Sequence, residues 1–343
     1  MCGKNGGGFR TGSGQSPCER SLRNRAEPDK GDSWMSTTRI VAGLTAAMLL
    51  SPHQADATEA VAGHYVTGAF ALPKAAVIPP PGLYWNLTTS YYNGSISGDV
   101  EVPVAGEVRL GLDATFGGPN YTALWVPQTE MAGGASFQLG LTLPVLYLSA
   151  EASAGRRTVE QSQTDFGDIS ISPKIGWNSG HHFFTAGLNI FAPTGAWEEG
   201  ALDNIGMNYW TFSPTVAYTY FDPARGLDFS INAGLDFNTE NPDTDYHSGT
   251  LFHMDAVLIK QFNERFGAGL VGSMLYQIED DEGGLADRLD GFRGRSYALG
   301  PIITYEAGPK ENPISIALSW ASEFEVKNRF EGDAVYLSIS GTF

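Results

Sequence analysis

Asp245, His247 and Ser248 fall within four positions of one another and are the side-chain types of a hydrolytic triad. Such a site needs a serine within reach of a histidine, and an Asp or Asn to orient the ring. Adjacency in a loop does not supply that geometry. A lipid-acting hydrolase using His247 or His253 stands as an alternative reading, while His181 and His182 fall on a tight turn. The stretches "TENPDTD" and "EDDEGG" gather Glu240, Asp243, Asp245, Glu279, Asp280, Asp281 and Glu282. Clustered carboxylates suit Ca²⁺ or a divalent bridge to lipopolysaccharide. "DTD" lacks the length and glycine spacing of an EF-hand loop, and a solvated loop tip is the simpler account. No catalytic residue, metal or cofactor is assigned: Cys2 and Cys18 are the only cysteines, both near the start, and no phosphate-binding loop occurs.

The other candidate groups lie in rows. Lys174, Asn189, Asp228, Asn232, Asp236, His253, Asp255, Glu323, Glu325 and Lys327 alternate with apolar neighbours. They read either as polar liners that bind solute and set pore charge, or as the interior salt bridges of a barrel.

The elements that carry these rows are strands. "LDFSINAGLDFN" places Leu227, Phe229, Ile231, Ala233, Leu235 and Phe237 on one face, and Asp228, Ser230, Asn232, Gly234, Asp236 and Asn238 on the other. "ISIALSW" and "ISISPKIGW" repeat the pattern and helical periodicity is nearly absent, so the chain reads as all-β. Connectors alternate short and long: "NSGHH", "FDPARG", "NER" and "AGPKEN" against "PTGAWEEGALDNIGMN", "TENPDTDYHSG" and "EDDEGGLADRLDGFRG". That is the habit of an antiparallel transmembrane β-barrel with tight periplasmic turns and longer external loops.

About twelve strands are expected, near 82–92, 106–126, 131–151, 165–178, 181–192, 207–220, 226–239, 250–262, 265–279, 295–306, 313–327 and 333–343. "GGPN" threatens the second. Tyr91, Trp125, Trp177, Tyr209, Trp210, Tyr218, Tyr220, Tyr305 and Trp320 fall near strand ends, as an interfacial aromatic girdle requires. The greasy face then looks at lipid and the polar face at the lumen.

The start of the chain adds an address. Arg39 precedes the greasy run "IVAGLTAAMLL" at 40–50, and the small-x-small triplet Ala55-Asp56-Ala57 follows. Residues 35–57 read as a secretory signal, too short for a bilayer span of about 20 residues. Residues 1–34 read as disordered or as a misplaced start. The net charge is −17, and beyond Ala57 there are 14 basic against 33 acidic side chains, a balance of −19. That acidity excludes nucleic-acid binding. Residues 58–81 are too apolar for a free tail, so they read as a lumen plug carried by His64, Tyr65 and Phe70, or as a strap across the periplasmic rim. The barrel follows at 82–343.

Long stretches resemble the outer-membrane family named for the meta-pathway of phenol degradation, also called SphA-like. The resemblance is carried by "GHYVTGAFA", "PPPGLYWNLTTSYYNG", "FGDISISPKIGW", "NIFAPTG", "GRSYALGPIITY" and "SEFEVKNRFEGDAVYLSISGTF". It is densest in "NYWTFSPTVAYTYFDPARGLDFSINAGLDFNTENPDTDYHSGTLFHMD". Residues 100–126 and 152–164 depart from the family pattern. The terminal strand ending on Phe343 resembles the signal read by the barrel-assembly machinery. The resemblance implies an outer-membrane channel for passive uptake of small hydrophobic, aromatic compounds, with outer-membrane lipid and lipopolysaccharide as surroundings. A non-conducting structural barrel is the remaining alternative.

Overall fold

The computed structural model describes residues 63–343 apart from Glu130, Ala132, 155–156, Asp290 and Lys310. The expected signal at 35–57, the stretch before it and the first residues of the 58–81 segment lie outside the described residues.

In chain order the strands are β1 (Gly82–Val104), β2 (Glu107–Val126), β3 (Ser136–Ala154), β4 (Arg157–Phe166), β5 (Ser170–Ser179), β6 (His182–Phe191), β7 (Thr211–Asp222) and β8 (Leu227–Asn238). There follow β9 (Glu240–Asn241), β10 (Tyr246–His247), β11 (Leu251–Gln261), β12 (Phe266–Gln277), β13 (Arg295–Ala307), β14 (Ile314–Lys327) and β15 (Glu331–Thr342). β9 and β10 form a ribbon within one long loop, and the other thirteen make a single sheet. Every pairing in it is antiparallel, β1 meets β15, and the β2–β3 pairing closes the ring.

Thirteen strands fill twelve places. The outer half of β3, from Val145, pairs with β4, and its inner half, up to Thr142, pairs with β5. The chain breaks between them at Gly167, whose N–H donates to the Pro144 carbonyl at 3.1 Å. β4 was not expected, because residues 152–164 show no alternation of apolar and polar residues. β1 also outruns its expected end at 92, rising to a two-residue turn at Ala105 and Gly106. Both have positive φ, the backbone of a primed hairpin turn, which glycine adopts without steric cost. "GGPN" does not end β2, although its pairing with β3 skips Gly118 and Pro119.

Burial is inverted relative to a water-soluble sandwich. On β7, Thr211, Ser213, Thr215 and Thr219 are buried while Phe212, Pro214 and Val216 are exposed. β8 repeats this, with Asp228, Ser230, Asn232 and Asp236 buried and Phe229 and Phe237 exposed. An apolar outer surface over the whole ring is unstable in water and suits lipid, where each large apolar side chain regains about 1.5–3 kcal/mol. Tyr91, Trp125, Trp177, Trp210, Tyr305 and Trp320 lie on that surface as expected of a girdle. Tyr209 does not: it is buried and turns inward.

Candidate functional site

The segment from Gly63 to Pro79 has no strand partner, so its backbone groups need others. Side chains of the inward row supply them. Gly68 N–H donates to Asp255 Oδ1 at 3.1 Å, Lys74 N–H to Asp228 Oδ2 at 2.9 Å, and Ala76 N–H to Thr219 Oγ1 at 3.0 Å. The Thr67 hydroxyl donates to Glu323, and the Tyr336 hydroxyl donates to the Thr67 carbonyl at 2.9 Å. Short turns satisfy others, with the Ala69, Ala71, Leu72 and Val77 N–H groups donating to the Val66, Gly68, Phe70 and Lys74 carbonyls. The segment therefore lies inside the ring, against β7, β8 and β11–β15.

Tyr65 and Phe70 pack there. The Tyr65 ring stacks on His253 with centroids 4.4 Å apart, and Phe70 lies 5.5 Å from the same ring. Ala71 enters an apolar cluster with Val257, Ile259, Val271, Ala298 and Ile302.

His64 sits at the outer end and ties three parts of the chain together. Its Nε2 lies 2.9 Å from Asp168 Oδ2 and its Nδ1 2.8 Å from Thr211 Oγ1. The Thr211 hydroxyl donates to Asn238 Oδ1 at 2.6 Å, and the Asn238 amide faces the Ser248 and Gly249 carbonyls. The Thr211 hydroxyl is thus turned away from the ring, and His64 joins Thr211 and Asp168 through its two nitrogens. Asp168 also accepts the N–H groups of Thr194, Gly195 and Met207, which anchors the long 192–210 loop. Burial pushes the Asp168 carboxyl up, but the His64 contact and those backbone donors outweigh it and hold it below its ordinary value. His64 also stacks on Phe191 and meets Tyr209 edge-on.

The opposite side of the lumen is open. A cavity of about 770 Å³ lies between the segment and the inner face of β15, β1, β2, β3, β5 and β6. Its outer end is apolar, with Phe116, Leu146, Leu148, Trp197 and Met207 among its walls. Toward the turn end, hydroxyls and amides such as Asn86, Thr88, Thr122, Ser172 and Ser338 replace them.

The ten expected liners divide accordingly. Lys174, Asn189 and Asn232 border the cavity. Asp228, Asp255 and Glu323 hold the segment, and Asp236 lies 3.3 Å from His253. Glu325 and Lys327 are exposed and join neither group. The β13–β14 register shifts beside Tyr297, Glu325 takes a positive φ of 53°, and its carboxylate turns toward Arg295.

The alternatives meet the same geometry. The acidic loop side chains do not converge: Asp281 accepts from Gly249 N–H and Gln277 Nε2, Asp280 pairs with Arg293, and Asp243 accepts from Asn208. Among the described residues no three His, Cys, Asp or Glu side chains form a metal cluster. His247 Nε2 faces the Asn238 carbonyl, and Ser248 is buried. At His253, Ser213 and Asp236 both approach Nε2 at 3.3 Å, so no relay across the ring exists. At His64, hydroxyl and carboxylate do lie on opposite nitrogens, but Thr211 donates away from the ring.

Comparison with known proteins agrees with the barrel. An outer membrane channel from Pseudomonas putida F1 superposes with a TM-score of 0.60 at 12% identity, covering 82% of this chain and 100% of that one. That likeness shows the fold. A FadL homologue from Pseudomonas aeruginosa gives 0.44 at 8% identity, covering 85% and 99%, too distant to carry an argument. No curated protein matches in sequence. A closed antiparallel ring with an apolar outer face is the architecture of the Gram-negative outer membrane, and there this protein resides. The profile of the family described as "Putative MetA-pathway of phenol degradation" matches residues 96–339, more than two thirds of the sequence, and the chain belongs to that family.

Proposed function

We propose that this protein is an outer-membrane channel for passive uptake of small hydrophobic, aromatic compounds, and that its inner segment is a plug confining the route to one side. The observation that carries the reading is the cavity of about 770 Å³ beside the segment, apolar at its outer end and rich in hydroxyls and amides toward the turns. Such a gradient captures an apolar solute and then releases it, because no single stretch of wall holds it tightly. The route ends in the periplasm or in lipid. The relatives support this reading: the Pseudomonas putida protein is an outer membrane channel, and the family is described by phenol degradation.

The barrel does no chemistry on the solute. The terminal strand β15 and exposed Phe343 serve the barrel-assembly machinery, and the external loops face lipopolysaccharide. The experiment is planar-bilayer conductance and aromatic uptake in proteoliposomes, with the intact protein beside a variant lacking residues 63–79. The intact barrel should show little ion current yet admit toluene, and the deletion should raise conductance at least about tenfold, since a twelve-place ring without its filling leaves a wet lumen. Equal conductance in the two removes the plug, and no uptake of any aromatic removes the channel.

A further inference from the structure

Five acidic or basic side chains border the cavity: His64, Lys74, Asp168, Lys174 and Glu306. Four of them pair, His64 with Asp168 at 2.9 Å and Lys74 with Glu306 at 3.5 Å. Lys174 makes no hydrogen bond or ion pair with any described residue. Among the cavity's described lysines, Lys174 is thus the one without a carboxylate partner, in a buried setting where an unpaired ammonium is costly.

The wall is shaped to hold that side chain. Lys174 on β5 is paired with Gly187 on β6, and a Cβ at Gly187 would stand 2.7 Å from Lys174 Cγ and 3.4 Å from Thr215 Oγ1. The bare glycine lets the lysine stem lie along the wall toward β7. Gln138 stands directly opposite Lys174 on β3, and Asn189 lies two residues beyond Gly187 on β6. Both amides are mostly buried, border the same cavity and have no partner among the described residues. An ammonium flanked by two free amides offers several N–H donors to one anionic oxygen pair. Leu124 leans across Gly140 beside Ser172, supplying an apolar contact one step outward.

From this geometry we infer that Lys174, Gln138 and Asn189 form a binding site for the carboxylate of a small aromatic acid, whose ring rests in the apolar part of the cavity. The inference rests on the passage proposed above and names a solute class for it. Benzoate satisfies the site, whereas benzyl alcohol and toluene offer the same ring without the charge.

The test is uptake of benzoate, benzyl alcohol and toluene by the full-length protein in proteoliposomes, together with block of toluene uptake by benzoate. Wild type should bind benzoate about tenfold more tightly than benzyl alcohol, the advantage of a charge-assisted hydrogen bond. Lys174→Met should abolish that margin, and Lys174→Arg should retain most of it. Heat-modifiable gel mobility verifies that each variant folds, and Gln138→Leu provides a second variant with a smaller loss in the same direction. A benzoate preference that survives in Lys174→Met, or is absent from wild type while toluene still enters, overturns the inference and leaves the passage standing. Failure of all three solutes overturns both.

Discussion

The two sides of the lumen solve opposite problems with the same residue types. On the β7–β14 side, polar groups are spent: Asp228, Thr219 and Asp255 each accept a backbone N–H from the segment, and Ser273 donates to Asp255 at 2.5 Å. On the β15–β3 side the Ser, Thr and Asn rows face a cavity and leave room for a solute. An inward polar row is therefore not in itself a pore. Whether it is one depends on what chain lies against it.

The largest effect should come from loosening the spent side. Asp255→Ala strands the Gly68 N–H and the Ser273 hydroxyl, and each buried unsatisfied group costs about 1–3 kcal/mol. Single-channel records should then show openings at least about tenfold more often than in wild type. If the current stays silent, the segment is held by packing alone. A smaller effect should follow from filling the open side. Thr122→Trp places a ring in the cavity and should cut aromatic uptake several-fold, with little change in thermal stability, because it breaks no bond to the segment. Unchanged uptake would move the route elsewhere.

The smallest effect concerns the clasp joining both sides. Asp168 has its folded pKa lowered from 3.8, so its contribution is fully present above that value and is lost as pH falls through the lower folded value. Acidification below about pH 4 should loosen the 192–210 loop and the outer end of the segment, read as hydrogen exchange at Gly195 and Met207. Asp168→Asn should flatten that dependence and cost about 1–3 kcal/mol at neutral pH. A profile with the same slope in both proteins would place the acid response in other groups.

How much of this was legible depended on whether a residue's partner could be inferred from strand period. The row of β8 was read correctly because a half-buried strand imposes period two. β4 was missed because "RTVEQSQTDF" is polar on both faces, and its residues from Thr158 to Phe166 are mostly exposed or half-buried. Glu325 was misassigned because a register shift flips alternation without any sign in composition. Tyr209 looked like a girdle residue and instead meets His64, a partner 145 positions away. Gln138 and Asp168 attracted no notice, since one amide in "SFQLG" and one acid in "FGDIS" acquire meaning only across strands.

The sequence by itself determined the ring: alternation set which face meets lipid, connector length set the antiparallel order, and the greasy 58–81 stretch could not remain in water. Only the tertiary structure decided the division of the lumen. Which polar groups are consumed and which are left free depends on where one strandless segment lies inside a closed wall. That placement is set by pairwise hydrogen bonds such as Gly68 to Asp255, spanning 187 positions, and short-range periodicity carries no record of them.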